Sequence, residues 1–295
     1  MSASKRAESS TRGILFAIGG RELRRGETRV LEAFIDRCGG PPRQLVVLTA
    51  ASRDPGKRVD EYGPAFGALG VDGVSFFHQD NREQANDAAV LDAVAGADAV
   101  FLTGGNQLKL VSTLGGTRLE ELLRTRHKTG LHIAGTSAGA SAMSAVMIAR
   151  GKGKSSPKLS SVRMAPGFGF LSRIIVDQHF RQRDRFGRLF AAVACNPGML
   201  GMGLDEDTAF SLDRDDHLEV VGSGTLTIVD GAQLESTNID DIPEDMPAAF
   251  AGLRLHVLTD GWGYDIRTRE VNRPTASQHT RDVTGVPAAV AETSG

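Results

Sequence analysis

Gly135-Thr136-Ser137-Ala138-Gly139 is the stretch of this sequence best suited to chemistry. It follows the apolar run Leu131 to Ala134 and precedes the helix-compatible Ala140 to Ile148, the strand-turn-helix setting that lifts a serine hydroxyl clear of a strand end. Small residues on either side permit a sharp turn, and the N–H groups opening the next helix face a developing oxyanion. Ser137 is therefore the candidate nucleophile, with the Ala138 N–H as an oxyanion donor. A second glycine turn, Thr103-Gly104-Gly105-Asn106-Gln107, closes the run Asp98 to Leu102. Gly105 supplies a second N–H to the oxyanion and Gln107 an amide for substrate. Neither GxGxxG nor GxxxxGK[ST] is present, so nucleotide binding lacks its motif.

A serine needs a base, and the histidines are His78, His127, His132, His179, His217, His256 and His279. His179 leads because Asp177-Gln178-His179 ends the strand-like run Ile174 to Val176, at the edge where parallel α/β proteins assemble their sites. His78, at another strand end, is its rival, while His127 and His132 read as structural. The orienting acid is one of Asp205, Glu206 and Asp207, in the acidic turn Gly203 to Thr208, and the residues alone leave the choice open. Arg181, Arg183, Arg185 and Arg188 follow the base within ten residues. Guanidinium groups beside a hydrolytic site suit a substrate carboxylate, and Asp177 suits a substrate cation.

These groups need a scaffold, and short apolar runs supply it. Gly13 to Ile18, Leu45 to Leu48, Val74 to Phe77, Ala99 to Leu102 and Leu131 to Ala134 are separated by helix-compatible segments such as Thr28 to Cys38, which predicts a mostly parallel sheet with helices on both faces. After a helix over Arg183 to Cys195 the chain turns hairpin-rich, with strands over 209–212, 218–221 and 225–229 and a last hairpin pairing 253–258 with 264–266. Residues 1–12 and 270–295 read as flexible tails flanking a single α/β domain over 13–269. The 295 residues carry 34 Lys and Arg against 36 Asp and Glu, a net charge of −2 that gives no global attraction for nucleic acid. Two distant cysteines have no zinc or redox spacing, and no apolar run is long enough for a membrane span or signal peptide, so no metal, cofactor or membrane is expected and the setting reads as cytoplasmic.

GTSAGAS, TGGNQ, DQHFRQRDRFGRL and GLDEDTA occur in one order over roughly Gly13 to Ile266, and together they resemble the cyanophycinase family of serine peptidases. That family is related to aspartyl dipeptidase and shares the class I glutamine amidotransferase-like (flavodoxin-like) fold. The resemblance implies Ser137 as nucleophile, His179 as base and Glu206 as third member, with substrate contacts from Gln107, Asp177, Gln178, Arg183, Arg185 and Arg188. It also implies a cofactor-free homodimer that cuts cyanophycin, a polyaspartate carrying arginine on its β-carboxyls, to β-Asp-Arg dipeptides. The alternatives are a dipeptidase for small N-terminal aspartyl peptides and a non-catalytic binding module of the same fold. One departure is Ala134 before the elbow, where many relatives have glycine; the basic Gly151 to Arg163 segment has no role that the resemblance assigns.

Overall fold

The computed structural model describes residues 12–151, 153 and 156–274. Strands and helices alternate through the first half: β1 (Leu15–Ile18), α1 (Arg29–Arg37), β2 (Leu45–Leu48), α2 (Pro55–Ala68), β3 (Val74–Phe77), α3 (Ala88–Gly96), β4 (Ala99–Leu102), α4 (Gln107–Leu114), α5 (Arg118–Lys128), β5 (His132–Thr136) and α6 (Ala138–Met143). A hairpin of β6 (Val146–Gly151) and β7 (Val162–Pro166) follows, then β8 (Ile174–Gln178), α7 (Phe186–Ala194) and β9 (Leu200–Leu204). The remainder is β10 (Thr208–Leu212), β11 (His217–Gly222), β12 (Leu226–Asp230), the short pair β13 (Ser236–Thr237) and β14 (Phe250–Ala251), β15 (Arg254–Leu258), β16 (Gly263–Asp265) and β17 (Glu270–Asn272).

The fold is α/β, built on a nine-stranded sheet in the order β17-β16-β11-β10-β1-β5-β4-β2-β3. Its β1, β5, β4, β2 and β3 run parallel, and β10, β11, β16 and β17 extend it antiparallel. β1, β2 and β4 are buried on both faces, which is why these runs are continuously apolar rather than alternating. Leu15 and Ala17 pack with Leu110 and Leu123 under α4 and α5, whereas Phe16 and Ile18 pack with Phe34 and Phe66 of α1 and α2. A second sheet, β15-β12-β9-β8, stands beside the first, with β8 parallel to β9.

Several expectations change. The elbow helix ends at Met143 rather than Ile148, and the residues after it enter β6, so part of the basic Gly151 to Arg163 segment joins a hairpin. The expected Arg183 to Cys195 helix opens with a separate turn of 3-10 helix at Arg181–Arg183 and breaks at Asp184, which has φ 46°. Strands β15 and β16 do not pair with one another; they join β12 and β11 in different sheets. The expected tail is ordered at its start, where β17 closes the edge of the large sheet, and Arg12 bonds to Asp213 O and Asp216. The rest of the two expected tails lies outside the described residues.

The second sheet carries a buried charge cluster. Asp177 of β8 is 0% exposed and accepts bonds from Arg188 Nε at 2.7 Å and Arg185 Nη1 at 3.2 Å, with a further bond from Arg188 Nη2. Arg185 also donates to Gln178 O, and Arg188 donates to Gly151 O at 3.2 Å, so the cluster ties β8, α7 and the β6–β7 hairpin together. Burial pushes the Arg185 guanidinium down to about 10, against the pull of Asp177. Removing the carboxylate strands two buried cations, and breaking such a pair costs about 3–5 kcal/mol. Asp177→Ala is therefore expected to lose that much stability in urea-denaturation measurements; a loss under about 1 kcal/mol would show that the cluster does not hold the sheet.

Candidate functional site

Three loops meet at one edge of the large sheet. Parallel β1, β4 and β5 are neighbours and end side by side, so Gly19-Gly20, Thr103-Gly104-Gly105 and Ser137 emerge together. Antiparallel β10 starts where β1 ends, Ala209 opposite Ile18, which brings the preceding Glu206 to the same edge. In the second sheet Gln178 lies opposite Leu204, so the residues following both strands, His179 and Asp205 to Asp207, come out adjacent.

Backbone bonds from β1 and the turn after it complete the convergence. Ile18 O accepts Ser137 N, Gly19 O accepts His179 N and Gly20 O accepts Asp207 N, each at 2.9 Å. The turn must be glycine. A Cβ at Gly19 would lie 1.9 Å from Asp205 O, and one at Gly20, where φ is +102°, would lie 2.5 Å from His179 Cε1. The elbow glycines are tight as well: a Cβ at Gly135 would strike the Gly139 carbonyl and one at Gly139 the Leu102 carbonyl. Ser137 itself sits at φ 51°, ψ −109°, and His179 at φ 48°, conformations that non-glycine residues hold only under outside constraint.

Within this frame Ser137 Oγ lies 2.9 Å from His179 Nε2, and His179 Nδ1 lies 2.7 Å from Glu206 Oε1. Hydroxyl, imidazole and carboxylate thus form one hydrogen-bonded line, the geometry in which an imidazole accepts a serine proton and a carboxylate fixes its tautomer. Ser137 Oγ also approaches Gln178 Oε1 at 3.3 Å. Glu206 is held by a 3.4 Å ion pair with Arg21, and its N–H donates to Gln182 Oε1. Burial, and secondarily the nearby Arg183 charge, lower His179 to about 4, while Glu206 pulls the other way.

Asp205 and Asp207, the other candidates for the acid, are engaged elsewhere. Asp205 accepts from Arg181 N and from the N–H and hydroxyl of Thr225, and Asp207 accepts from Leu23 N and Ser223 Oγ. The rival base His78 is bonded to Thr49 and Asp80. His127 bonds Leu131 O, His132 accepts Ile14 N, His217 pairs with Asp265 and His256 packs on Tyr264. His279 lies outside the described residues.

A pocket of about 600 Å³ opens above Ser137, and its lining includes Gly104, Gly105, Asn106, Thr136, His179 and Arg183. Four residues expected to touch substrate are turned inward instead. Asp177, Arg185 and Arg188 satisfy one another in the buried cluster, and Gln107 Nε2 donates to Ile148 O and Ala149 O, tying α4 to β6. Other residues of the lining were missed in the sequence. They are Arg21 and Arg24 from the loop after β1, Arg53 and Asp54 from the loop after β2, and Lys57, Arg58 and Tyr62 from α2, which that loop leads into. Both loops follow parallel strands, so the strand-end rule that selected His179 also pointed to RELRR and SRDPGKR.

Residues 15–221 match the family model for peptidase family S51. The chain belongs to peptidase family S51. It is a hydrolase of the serine-peptidase type. This S51 peptidase is 38% identical over 271 residues to a cyanophycinase of Trichormus variabilis, an alignment covering 92% of this chain and 91% of that protein. It is 37% identical to a cyanophycinase of Geminocystis herdmanii, covering 88% and 96%, and 36% identical to one of Thermosynechococcus vestitus, covering 92% and 84%. Its fold is similar to a peptidase from an acI-B1 actinobacterium, with a TM-score of 0.62 at 22% identity over 86% of this chain and 97% of that one. A protein described as a putative peptidase E of Listeria monocytogenes aligns with a TM-score of 0.51 at 13% identity, covering 72% and 100%.

The lowered His179 value has a kinetic consequence for this S51 peptidase. An ordinary histidine protonates near 6.5, whereas this imidazole stays neutral until pH approaches about 4. If a neutral His179 is required, kcat/KM falls only as pH drops toward that value. Arg183→Gln removes a charge that lowers the pKa, so at low ionic strength the acid limb is expected to move up in pH. A limb already near 6.5 in the wild type, or one unmoved by the substitution, would contradict this.

Proposed function

We propose that this S51 peptidase hydrolyses cyanophycin, releasing β-Asp-Arg dipeptides from the end of the polymer, with Ser137, His179 and Glu206 as nucleophile, base and orienting acid. The observation carrying the mechanism is the unbroken line from Ser137 Oγ through the imidazole to Glu206. Support for the substrate comes from the cyanophycinases that align over about nine-tenths of the chain, together with a pocket lined by both guanidinium groups and a carboxylate. Such a lining matches a repeat that itself bears a carboxylate and a guanidinium.

In this mechanism His179 Nε2 takes the Ser137 proton as Oγ attacks the aspartyl carbonyl carbon. The N–H groups of Gly105 and Ala138 receive the oxyanion. Collapse of the tetrahedral adduct expels the amine, which takes the proton back from Nε2, and leaves an ester on Ser137. Water, deprotonated by the same nitrogen, attacks that ester; the acid departs and the proton returns to Oγ. Arg183 and Gln178 touch substrate in this reading, while Gln107, Asp177, Arg185 and Arg188 hold the segments around it. The motif resemblance adds a homodimer, working without a cofactor, and the cytoplasm is the setting proposed for it.

The wild type is expected to clear a cyanophycin suspension and release β-Asp-Arg identified by mass, and Ser137→Ala to do so at least about a thousandfold more slowly with its fold intact. Clearing by Ser137→Ala at the wild-type rate would overturn the mechanism. Cleavage of small N-terminal aspartyl peptides with cyanophycin untouched would replace the substrate by that of a dipeptidase.

A further inference from the structure

The part of the pocket lining that comes from Arg24 and α2 is backed by a buried carboxylate, Glu22, and a half-buried one, Glu61, neither of which lines it. Glu22 is 2% exposed and accepts from Thr136 Oγ1 at 2.7 Å and from the Tyr62 hydroxyl. It lies 3.4 Å from Arg24 Nη2, which also donates to Tyr62 Oη at 3.0 Å. The Arg24 guanidinium stacks over the Tyr62 ring, 4.6 Å from its centroid. On the other side Glu61 Oε2 pairs with Arg58 Nη1 at 2.8 Å and lies 3.7 Å from Arg24 Nη1. Arg24 and Arg58 line the pocket with Ser137, whereas Glu22 and Glu61 do not. The acids therefore stand behind the guanidinium groups, fixing their orientation, and the face turned to the pocket is cationic.

Arg53 and Lys57 extend this face along the start of α2. Among the described residues lining the pocket the only acid is Asp54, and one of its oxygens caps α2 by accepting Lys57 N at 3.0 Å. Arginines held in place by packing and ion pairs lose little freedom on binding, and their planar forks match a carboxylate. Their spread along a wall, rather than at a point, suits a ligand with repeated anionic groups.

We propose that Arg24 and Arg58, with Arg53 and Lys57, form a carboxylate-binding wall that takes the free arginine carboxylates of neighbouring repeats of the polymer. This rests on cyanophycin being the substrate. The scissile unit would then lie at Ser137 while the next repeats lie along α2, giving the enzyme a preference for a chain over a single unit. Arg24 is also the lid on Glu22, so its removal would leave a buried carboxylate with one fewer partner beside the nucleophile elbow. Arg53 and Arg58 are the better residues to change.

The test uses oligomers of four β-Asp-Arg repeats, with the backbone carboxyl terminus amidated throughout and the arginine carboxylates either free or amidated. Calorimetry on Ser137→Ala is expected to show at least about tenfold tighter binding of the free-carboxylate form. That preference is expected to shrink to under about threefold when Arg53→Gln and Arg58→Gln are added, and to be only partly restored by Arg58→Lys in place of Arg58→Gln, which returns the charge without the fork. Equal binding of the two oligomers, a preference untouched by the substitutions, or no binding of either would overturn the wall. Hydrolysis of the polymer by the wild type, measured alongside, separates the two claims. Turnover without the preference removes the wall alone, and the preference without turnover removes the proposed reaction while keeping the wall.

Discussion

The carbonyls of Ile18, Gly19 and Gly20 accept in turn the N–H groups of Ser137, His179 and Asp207, and the arrangement of the site depends on this run of three bonds. The partners lie on three separate segments, one after β5 of the large sheet, one after β8 of the second sheet and one on the connection from β9 to β10 that passes between the sheets. No side-chain contact could align an imidazole with both a hydroxyl and a carboxylate unless these backbones were first brought together. The turn can do so only because both its glycines lack a Cβ, one against the Asp205 carbonyl and the other against the imidazole ring.

Strain at the site is balanced by packing around it. Ser137 and His179 both hold positive φ, and the surroundings that keep them there are backbone bonds from β1 and the elbow glycines pressed against the Leu102 and Gly139 carbonyls. Behind them, the Asp177 cluster anchors the strand that leads into His179, and Glu22 reaches the hydroxyl of Thr136, the residue before Ser137. Two buried carboxylates thus support the two strained residues from opposite sides. The same burial that holds His179 keeps its ring neutral in mildly acid solution, the state a base requires.

The parallel half of the fold was legible because continuous apolar runs separated by amphipathic segments have one common solution, and the Ser137 elbow was legible because its glycines sit between such a run and a helix. His179 could be favoured by its place at a strand end. Which of Asp205, Glu206 and Asp207 meets His179 could not be read from composition, because it turns on which carboxylate faces Nδ1 and which are taken by Thr225 and Leu23. The arginine cluster misled for a related reason: charged residues near a site read as substrate contacts, yet Arg185 and Arg188 follow β8 at a spacing that folds them back onto Asp177. The strand β17 escaped notice because three residues at a sheet edge carry no periodicity, and the cationic wall because its residues come from the loop after β1 and the start of α2, which meet only in space.

Catalysis by the proposed route requires the turn after β1 to make Ser137 a reactive nucleophile. The direct measurement is the rate at which a fluorophosphonate modifies the protein, with the modified residue located by peptide mass. The wild type is expected to be labelled on Ser137. Gly20→Ala, whose new Cβ displaces the imidazole, is expected to be labelled about a hundredfold more slowly, with a circular dichroism spectrum like that of the wild type. Labelling of another residue, or equal rates for the two proteins, would contradict it.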